Sequence, residues 1–277
     1  MSRKHSKNRS KKNGFKPMSE YDEYALSLLS LQVKIILIFM ISDLLLVKGT
    51  IESINLACNK EETYTNPFIL LAQGQYLALI ASVLISYVDF SRYDQLCKKY
   101  PKGEISLEPE FMIKQASILS IILYILNIVG VTQQYKASLV IDLFQCDKKD
   151  REILSLQAAS FLVRFYGDYF ILSSTLKSID LIRSKYDKRI KPTSNPDIDA
   201  VIAAELYVIQ RGVLYDVANI ALTYLINEGS DLNKELLLPA QQIFVLADIF
   251  GVVANITALV GFIKIYNRNM NEPIFGR

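Results

Sequence analysis

Long apolar segments separated by short polar stretches dominate this chain. No charged residue occurs from Thr63 to Val88 or from Gln115 to Tyr135, which are uncharged runs of 26 and 21 residues. About 20 residues of helix cross the ~30 Å hydrocarbon core of a bilayer, whereas a soluble helix needs one face in contact with water. The pattern therefore predicts a membrane protein.

Six segments have the length and apolar character of a membrane-spanning helix. They cover residues 28–48, 67–89, 112–133, 153–176, 201–227 and 238–265. The second and third are the clearest, and the other four hold ionisable residues that lower their hydropathy. We expect an all-α polytopic bundle of six transmembrane helices. It would comprise a basic cytoplasmic tail (1–27), a membrane domain (28–266) and a short cytoplasmic C-terminal tail (267–277).

Lysine and arginine concentrate on one side of these six segments. The N-terminal tail, the loops 89–110 and 177–199 and the C-terminal end hold 19 of them, and the alternate loops hold 7. Because cytoplasmic loops carry an excess of Lys and Arg, both termini are predicted to be cytoplasmic. The chain is also rich in Ile, Lys and Asn, which indicates an AT-rich genome and favours a bacterial plasma membrane.

The N-terminal tail begins MSRKHSKNRSKKNGFKP. It lacks the apolar core and cleavage site of a secretory signal. Basic juxtamembrane clusters bind anionic lipid headgroups, so we expect this tail to contact the bilayer surface. No aromatic residues alternate with the charges for base stacking, so no nucleic-acid partner is expected. The sequence leaves a homo-oligomer open.

The residue inventory argues against several classes of site. His5 is the only histidine and lies in the tail, so histidine-dependent haem or metal sites inside the membrane are excluded. No phosphate-binding or dinucleotide-binding fingerprint occurs, and we predict no cofactor and no metal. Paired carboxylates could serve an intramembrane hydrolase, but no motif supports one, and an enzyme is the less favoured class. Cys58 and Cys146 fall in two loops on the same predicted side, either as a disulfide or as free thiols.

Two internal similarities suggest different symmetries. Residues 68–94 align without gaps to residues 161–187, with seven identical positions. This match predicts repeated helix hairpins in parallel orientation, with segments two, four and six equivalent. In the rival match, LSLQ occurs at 29–32 and at 154–157, each followed eleven residues later by an aspartate, Asp43 or Asp168. It would equate segments one and four and imply two inverted three-helix halves. The longer match favours the hairpin repeat.

Ionisable side chains lie near the middle of three predicted segments. A charge at a helix centre costs roughly 2.5–3.5 kcal/mol on insertion, so such residues face each other or line a wet cavity. The candidate ion-binding or substrate-binding residues are Arg164, Asp168, Arg211, Asp216, Asp248 and Asn255. Asp43, Glu205 and Lys34 lie nearer the segment ends, where long side chains can reach the interface, and are ranked lower.

The charges of the candidate residues do not balance. Two arginines against three aspartates leave one negative charge if all five meet. A poorly solvated carboxylate without a partner takes a proton or holds a cation. We therefore predict a small secondary transporter or channel-like carrier. The alternative is a non-catalytic membrane scaffold or assembly factor, in which the charged pairs only fix helix packing. Its basic loops and the segments SRYD (91–94) and SKYD (184–187) would then dock a partner.

Overall fold

The computed structural model describes residues 17–59, 66–100, 104–141, 148–191 and 194–271, which form six long helices. They are α1 (Glu20–Asn59), α2 (Pro67–Lys99), α3 (Glu108–Ser138), α4 (Lys148–Ser184), α5 (Pro196–Glu228) and α6 (Asp231–Asn271). Each contains one predicted segment and is longer than it. The 33 residues of α2 correspond to ~50 Å of helix at about 1.5 Å per residue, so the helices extend beyond a ~30 Å hydrocarbon core.

Two of the helices begin with the same local structure. Asn66 precedes Pro67 at the start of α2, and its Oδ1 accepts the N–H of Phe68 at 3.0 Å. Asn195 precedes Pro196 at the start of α5, and its Oδ1 accepts an N–H at 2.9 Å. Proline fits the first turn because its missing N–H would have had no helical partner, and the asparagine satisfies another of these unpaired N–H groups.

Four of the helices, α1, α2, α3 and α6, contain a stretch long and apolar enough to cross a membrane. They indicate an integral membrane protein. The charges within α4 and α5 lower the hydropathy of these two helices. Three of these charged residues, Arg164, Asp168 and Arg211, are buried in the bundle. The outer faces of α4 and α5 carry exposed apolar side chains such as Leu162 and Ile209, as the outer faces of the other helices do.

The helices form a closed ring. Around it the order is α1, α2, α3, α6, α5, α4 and back to α1, and no other pair of helices packs backbone against backbone within the described residues. The starts of α1 and α3 contact the ends of α4 and α6, through Asp22 with Lys185 and Glu110 with Arg268. Every helix is therefore antiparallel to both neighbours. We call the end where α1, α3 and α5 begin the N-terminal end, and the other the far end.

The order of the ring corrects the predicted symmetry. Repeated hairpins would pack α3 against α4, but the backbones of these two helices are not neighbours within the described residues. Instead the ring divides into two halves, α1–α3 and α4–α6, which meet along two seams, α1 with α4 and α3 with α6. Such an arrangement is typical of inverted repeats, which are related by a pseudo-two-fold axis in the membrane plane. The ring order is thus compatible with the rival LSLQ match, which pairs α1 with α4.

The α3–α6 seam carries a reciprocal contact of the kind that a two-fold axis generates. A Cβ atom on Gly130 would lie 2.8 Å from the ring of Phe244, and one on Gly261 would lie 2.9 Å from Ile113. Ile113 precedes Gly130 by 17 residues, as Phe244 precedes Gly261. Each half thus places a large side chain against the glycine of the other, and the two helices approach closely at both points.

Some sequence expectations fall on residues outside the described ranges. Most of the basic tail does, although α1 begins at Glu20, inside the segment assigned to the tail. Cys146 and the side chain of Cys58 also lie outside the described residues, so the choice between a disulfide and free thiols stays open. Cys97 is a free, exposed thiol near the end of α2.

Candidate functional site

Three ionisable side chains meet at the α1–α4 seam. Arg164 Nη1 of α4 lies 3.3 Å from Asp43 Oδ1 of α1, and the two side chains are 6% and 0% exposed. The carboxyl of Asp168, one turn further along α4, is within hydrogen-bonding reach of the Asp43 carboxyl. Asp168 Oδ1 also accepts the hydroxyl of Tyr207 of α5 at 2.5 Å. We call Asp43, Arg164 and Asp168 the seam cluster.

The seam cluster lacks one positive charge. Its two carboxylates and one guanidinium sum to −1 when all three are ionised. Neither oxygen of Asp43 accepts a hydrogen bond from an N–H or O–H donor in the described residues, and Oδ2 of Asp168 accepts none either. A proton held between the two carboxyls would supply both the missing hydrogen bond and the missing charge.

Two aromatic rings flank the Arg164 guanidinium. The ring centres of Phe39 and Tyr124 lie 5.0 and 5.3 Å from its central carbon. A guanidinium is weakly hydrated and is attracted to aromatic faces, so these rings partly replace the water that Arg164 has lost. They also place α3 beside the seam cluster, because Tyr124 belongs to that helix.

A second charged pair links α5 to α6. Arg211 Nη1 lies 2.8 Å from Asp248 Oδ1, with both side chains less than a tenth exposed. Gly251, one turn after Asp248, makes room for the arginine, because a Cβ there would lie 2.5 Å from Arg211 Cδ. Asn255, one turn further on, donates from Nδ2 to the backbone carbonyl of Tyr207 at 2.7 Å. It joins α5 to α6 rather than contacting either ion pair.

A cavity of about 360 Å³ occupies the far half of the ring. All six helices line it, and Glu228 and Asn233 lie on its wall at the far end. Towards the middle of the bundle its wall includes the Arg211–Asp248 pair, with Gln75 and Asn127. Its apolar wall is a cluster of buried side chains, Leu46, Phe68, Leu71, Val131, Phe161 and Leu214. The seam cluster does not line this cavity.

Apolar packing and ionic contacts close the N-terminal half of the ring. Leu28, Ile35 and Val88 are buried between α1 and α2, and Ala25, Leu29, Ile179 and Ile182 fill the α1–α4 seam. At the end of this seam, Lys185 Nζ lies 3.1 Å from Asp22 Oδ1. The α3–α6 seam ends in a contact between Arg268 and Glu110, where Arg268 Nη1 donates to Glu110 Oε2 at 3.0 Å.

The predicted site residues separate into three groups. Arg164 and Asp168 lie in the seam cluster, and Arg211 and Asp248 form the pair at the cavity. Asp216, however, is exposed on the outer surface of α5, so the expectation that it faces the other charges is wrong. Five residues at about 100° each place Asp216 about 140° around the helix from Arg211. The two side chains therefore cannot both point inward.

Sequence reasoning ranked Asp43 too low. It lay five residues from the end of the predicted segment 28–48, but α1 runs to Asn59, and Asp43 is fully buried near its middle. The signal that could have found it was the LSLQ match, which places Asp43 and Asp168 at equivalent positions.

The tyrosines of the two proposed docking segments contact the chain itself. The hydroxyl of Tyr186, in SKYD, donates to Asp22 Oδ2 at 2.6 Å. Tyr93, in SRYD, packs against Phe111 with ring centres 5.8 Å apart, and the Lys114 ammonium lies 4.8 Å from its ring centre. Both tyrosines therefore hold neighbouring helices together at the N-terminal end.

Comparisons with family models, with curated proteins and with solved structures find no significant match to this chain.

Proposed function

We propose that the protein is a small secondary carrier in which all six helices span a bacterial plasma membrane. Both termini would face the cytoplasm, as the lysine and arginine bias predicts. The cavity would then open to the outside, and the closed half of the ring would face the cytoplasm. The inverted halves support this function, because many carriers expose one central site alternately through the motion of two such halves.

The seam cluster is the observation that carries the proposal. Two carboxyls and one guanidinium are fully enclosed where the two halves meet, and their charges do not balance. One proton or monovalent cation balances them. Buried ionisable groups are costly in a bilayer and mark ion pathways by default. Asp43 belongs to one half and Asp168 to the other, so uptake or release of the ion changes the interaction between the halves.

The test is a thermal-unfolding screen of the purified protein in detergent, across pH and across lithium, sodium and potassium. An ion that binds only the folded state raises the unfolding temperature by mass action. We expect such a response in the wild type, its loss in Asp168→Asn, and its retention in Asp216→Asn. The latter makes the same chemical change on the exposed face of α5.

The scaffold remains the second candidate, and one observation favours it. Asp216 and Glu205 are both exposed on α5, and lipid offers a carboxyl no hydrogen-bond partner. A partner helix would cover this face. The same screen separates the two functions. A wild type that responds to no ion, or an Asp168→Asn variant that responds as the wild type does, would refute the carrier and leave the scaffold.

A further inference from the structure

The pair at the cavity differs from the seam cluster in charge and in access. Arg211 and Asp248 sum to zero, and both line the cavity. A ligand with one net charge would leave that charge uncompensated in a poorly solvated site. A ligand with one positive and one negative group keeps the site neutral, and each of its charged groups can bind one member of the pair.

The pair also has donors and acceptors left for a ligand. Arg211 bonds Asp248 through Nη1, while its Nε has no hydrogen-bond partner within the described residues. A guanidinium can bind a carboxylate with two parallel hydrogen bonds, and a carboxylate that enters beside Gly251 would reach the buried Nε. Gln75, also on the cavity wall, is less than a tenth exposed, and its Oε1 accepts no hydrogen bond in the described part of the chain. An ammonium group can donate to that oxygen and to Asp248.

The rest of the wall fits an apolar body. Leu71, Val131, Phe161 and Leu214 belong to the buried apolar cluster beside the charged pair. A cavity of about 360 Å³ lies at the lower end of the ~300–1,000 Å³ range of small-molecule pockets. It suits a molecule of amino-acid size rather than a lipid or a polymer.

We propose that the cavity binds a small zwitterion with an apolar side chain, of the α-amino-acid class. Its carboxylate binds Arg211, and its ammonium group binds Asp248 and Gln75. The inference rests on the proposed carrier function and names its substrate class. The two charged sites then have separate roles: the zwitterion binds at the cavity, and the coupling ion binds at the seam cluster.

The first experiment uses the wild-type protein in detergent and three probes of nearly the same shape. Leucine has both charged groups, leucinamide lacks the carboxylate, and 4-methylpentanoate lacks the ammonium. A hydrogen bond to a charged group supports roughly 10–150-fold in affinity. We therefore expect leucine to bind at least tenfold more tightly than either analogue in isothermal titration. An analogue that binds as tightly as leucine overturns the proposal, as does a lack of leucine and phenylalanine binding at millimolar concentration.

Variants then locate the contacts. Arg211→Gln should reduce leucine affinity at least tenfold while leaving leucinamide affinity nearly unchanged. Asp248→Asn should also reduce leucine affinity at least tenfold, but it should leave 4-methylpentanoate affinity nearly unchanged. A variant that changes the affinity for leucine and both analogues by one common factor would contradict the assignment. Asp216→Asn should bind leucine as the wild type does, because Asp216 is exposed on the outside of α5 and does not line the cavity. Leucine binding without any ion response would refute the ion-coupled carrier and leave the substrate class standing.

Discussion

Replacing Arg164 with methionine removes the guanidinium from the seam cluster and keeps a side chain of similar length. Two buried carboxyls then remain together, with the Asp43 side chain 0% exposed. Removal of one partner from a buried ion pair costs about 3–5 kcal/mol. On the scale of ~2–4 °C per kcal/mol for domains of 150–250 residues, the unfolding temperature should fall by about 6–20 °C.

The loss of stability in Arg164→Met should come from the two carboxyls left without a positive charge and not from altered packing. We therefore expect the double variant Arg164→Met with Asp43→Asn to recover ~1–3 kcal/mol, the size of coupling measured between contacting residues. Thermal unfolding in detergent, followed by circular dichroism, measures both variants. Arg189→Met is the control, because Arg189 is exposed in the loop after α4 and its replacement should change stability by less than ~0.5 kcal/mol. A double variant as unstable as Arg164→Met alone would refute the charge argument.

Two further predictions concern the α3–α6 seam. Gly261→Ala should cost ~1–3 kcal/mol, the usual cost of overpacking, because the new Cβ would lie 3.0 Å from the backbone oxygen of Pro109. Gly130→Ala should cost less, since its new Cβ would meet the Phe244 ring, which can turn. Unfolding experiments in which Gly130→Ala is the more destabilising of the two would contradict these contacts. Arg268→Met should loosen the start of α3, where Arg268 also donates to the Ser106 carbonyl at 2.7 Å. Amide exchange in residues 111–114, where the helical N–H bonds of α3 begin, should be at least tenfold faster, and unchanged exchange would count against a closing role for Arg268.

The sequence was sufficient to locate the helices but not their ends. Asn66–Pro67 and Asn195–Pro196 mark helix starts through the backbone groups they satisfy, and the uncharged runs mark the apolar middles of α2 and α3. The last turns of α2, with Lys98 and Lys99, are too polar for a hydropathy window to include. These turns are stabilised by contacts between helices, as where Gln95 donates to the Tyr21 carbonyl at 3.2 Å.

The site was predicted only in part, because its arrangement also depends on contacts between helices. Asp216 was expected on an interior face because charge is avoided in lipid. Arg211, on nearly the opposite side of α5, points inward instead, since Asp248 lies there. A helical stripe shows that two residues share a face, but which face points inward depends on the neighbouring helices. The ring order, which follows from tertiary packing, could not be obtained from the spacing of residues along the chain.

The ring order also constrains how the protein is made. The first half, residues 20–138, emerges from the ribosome before α4 does, so Asp43 can meet Arg164 only after the second half has been made. In the first half α2 lies between α1 and α3, so the outer faces of α1 and α3 have no partner helix. Both seams therefore stay open until the second half is made. The second half therefore completes both seams. A nascent chain that terminated after α3 would leave Asp43 without Arg164 and Glu110 without Arg268.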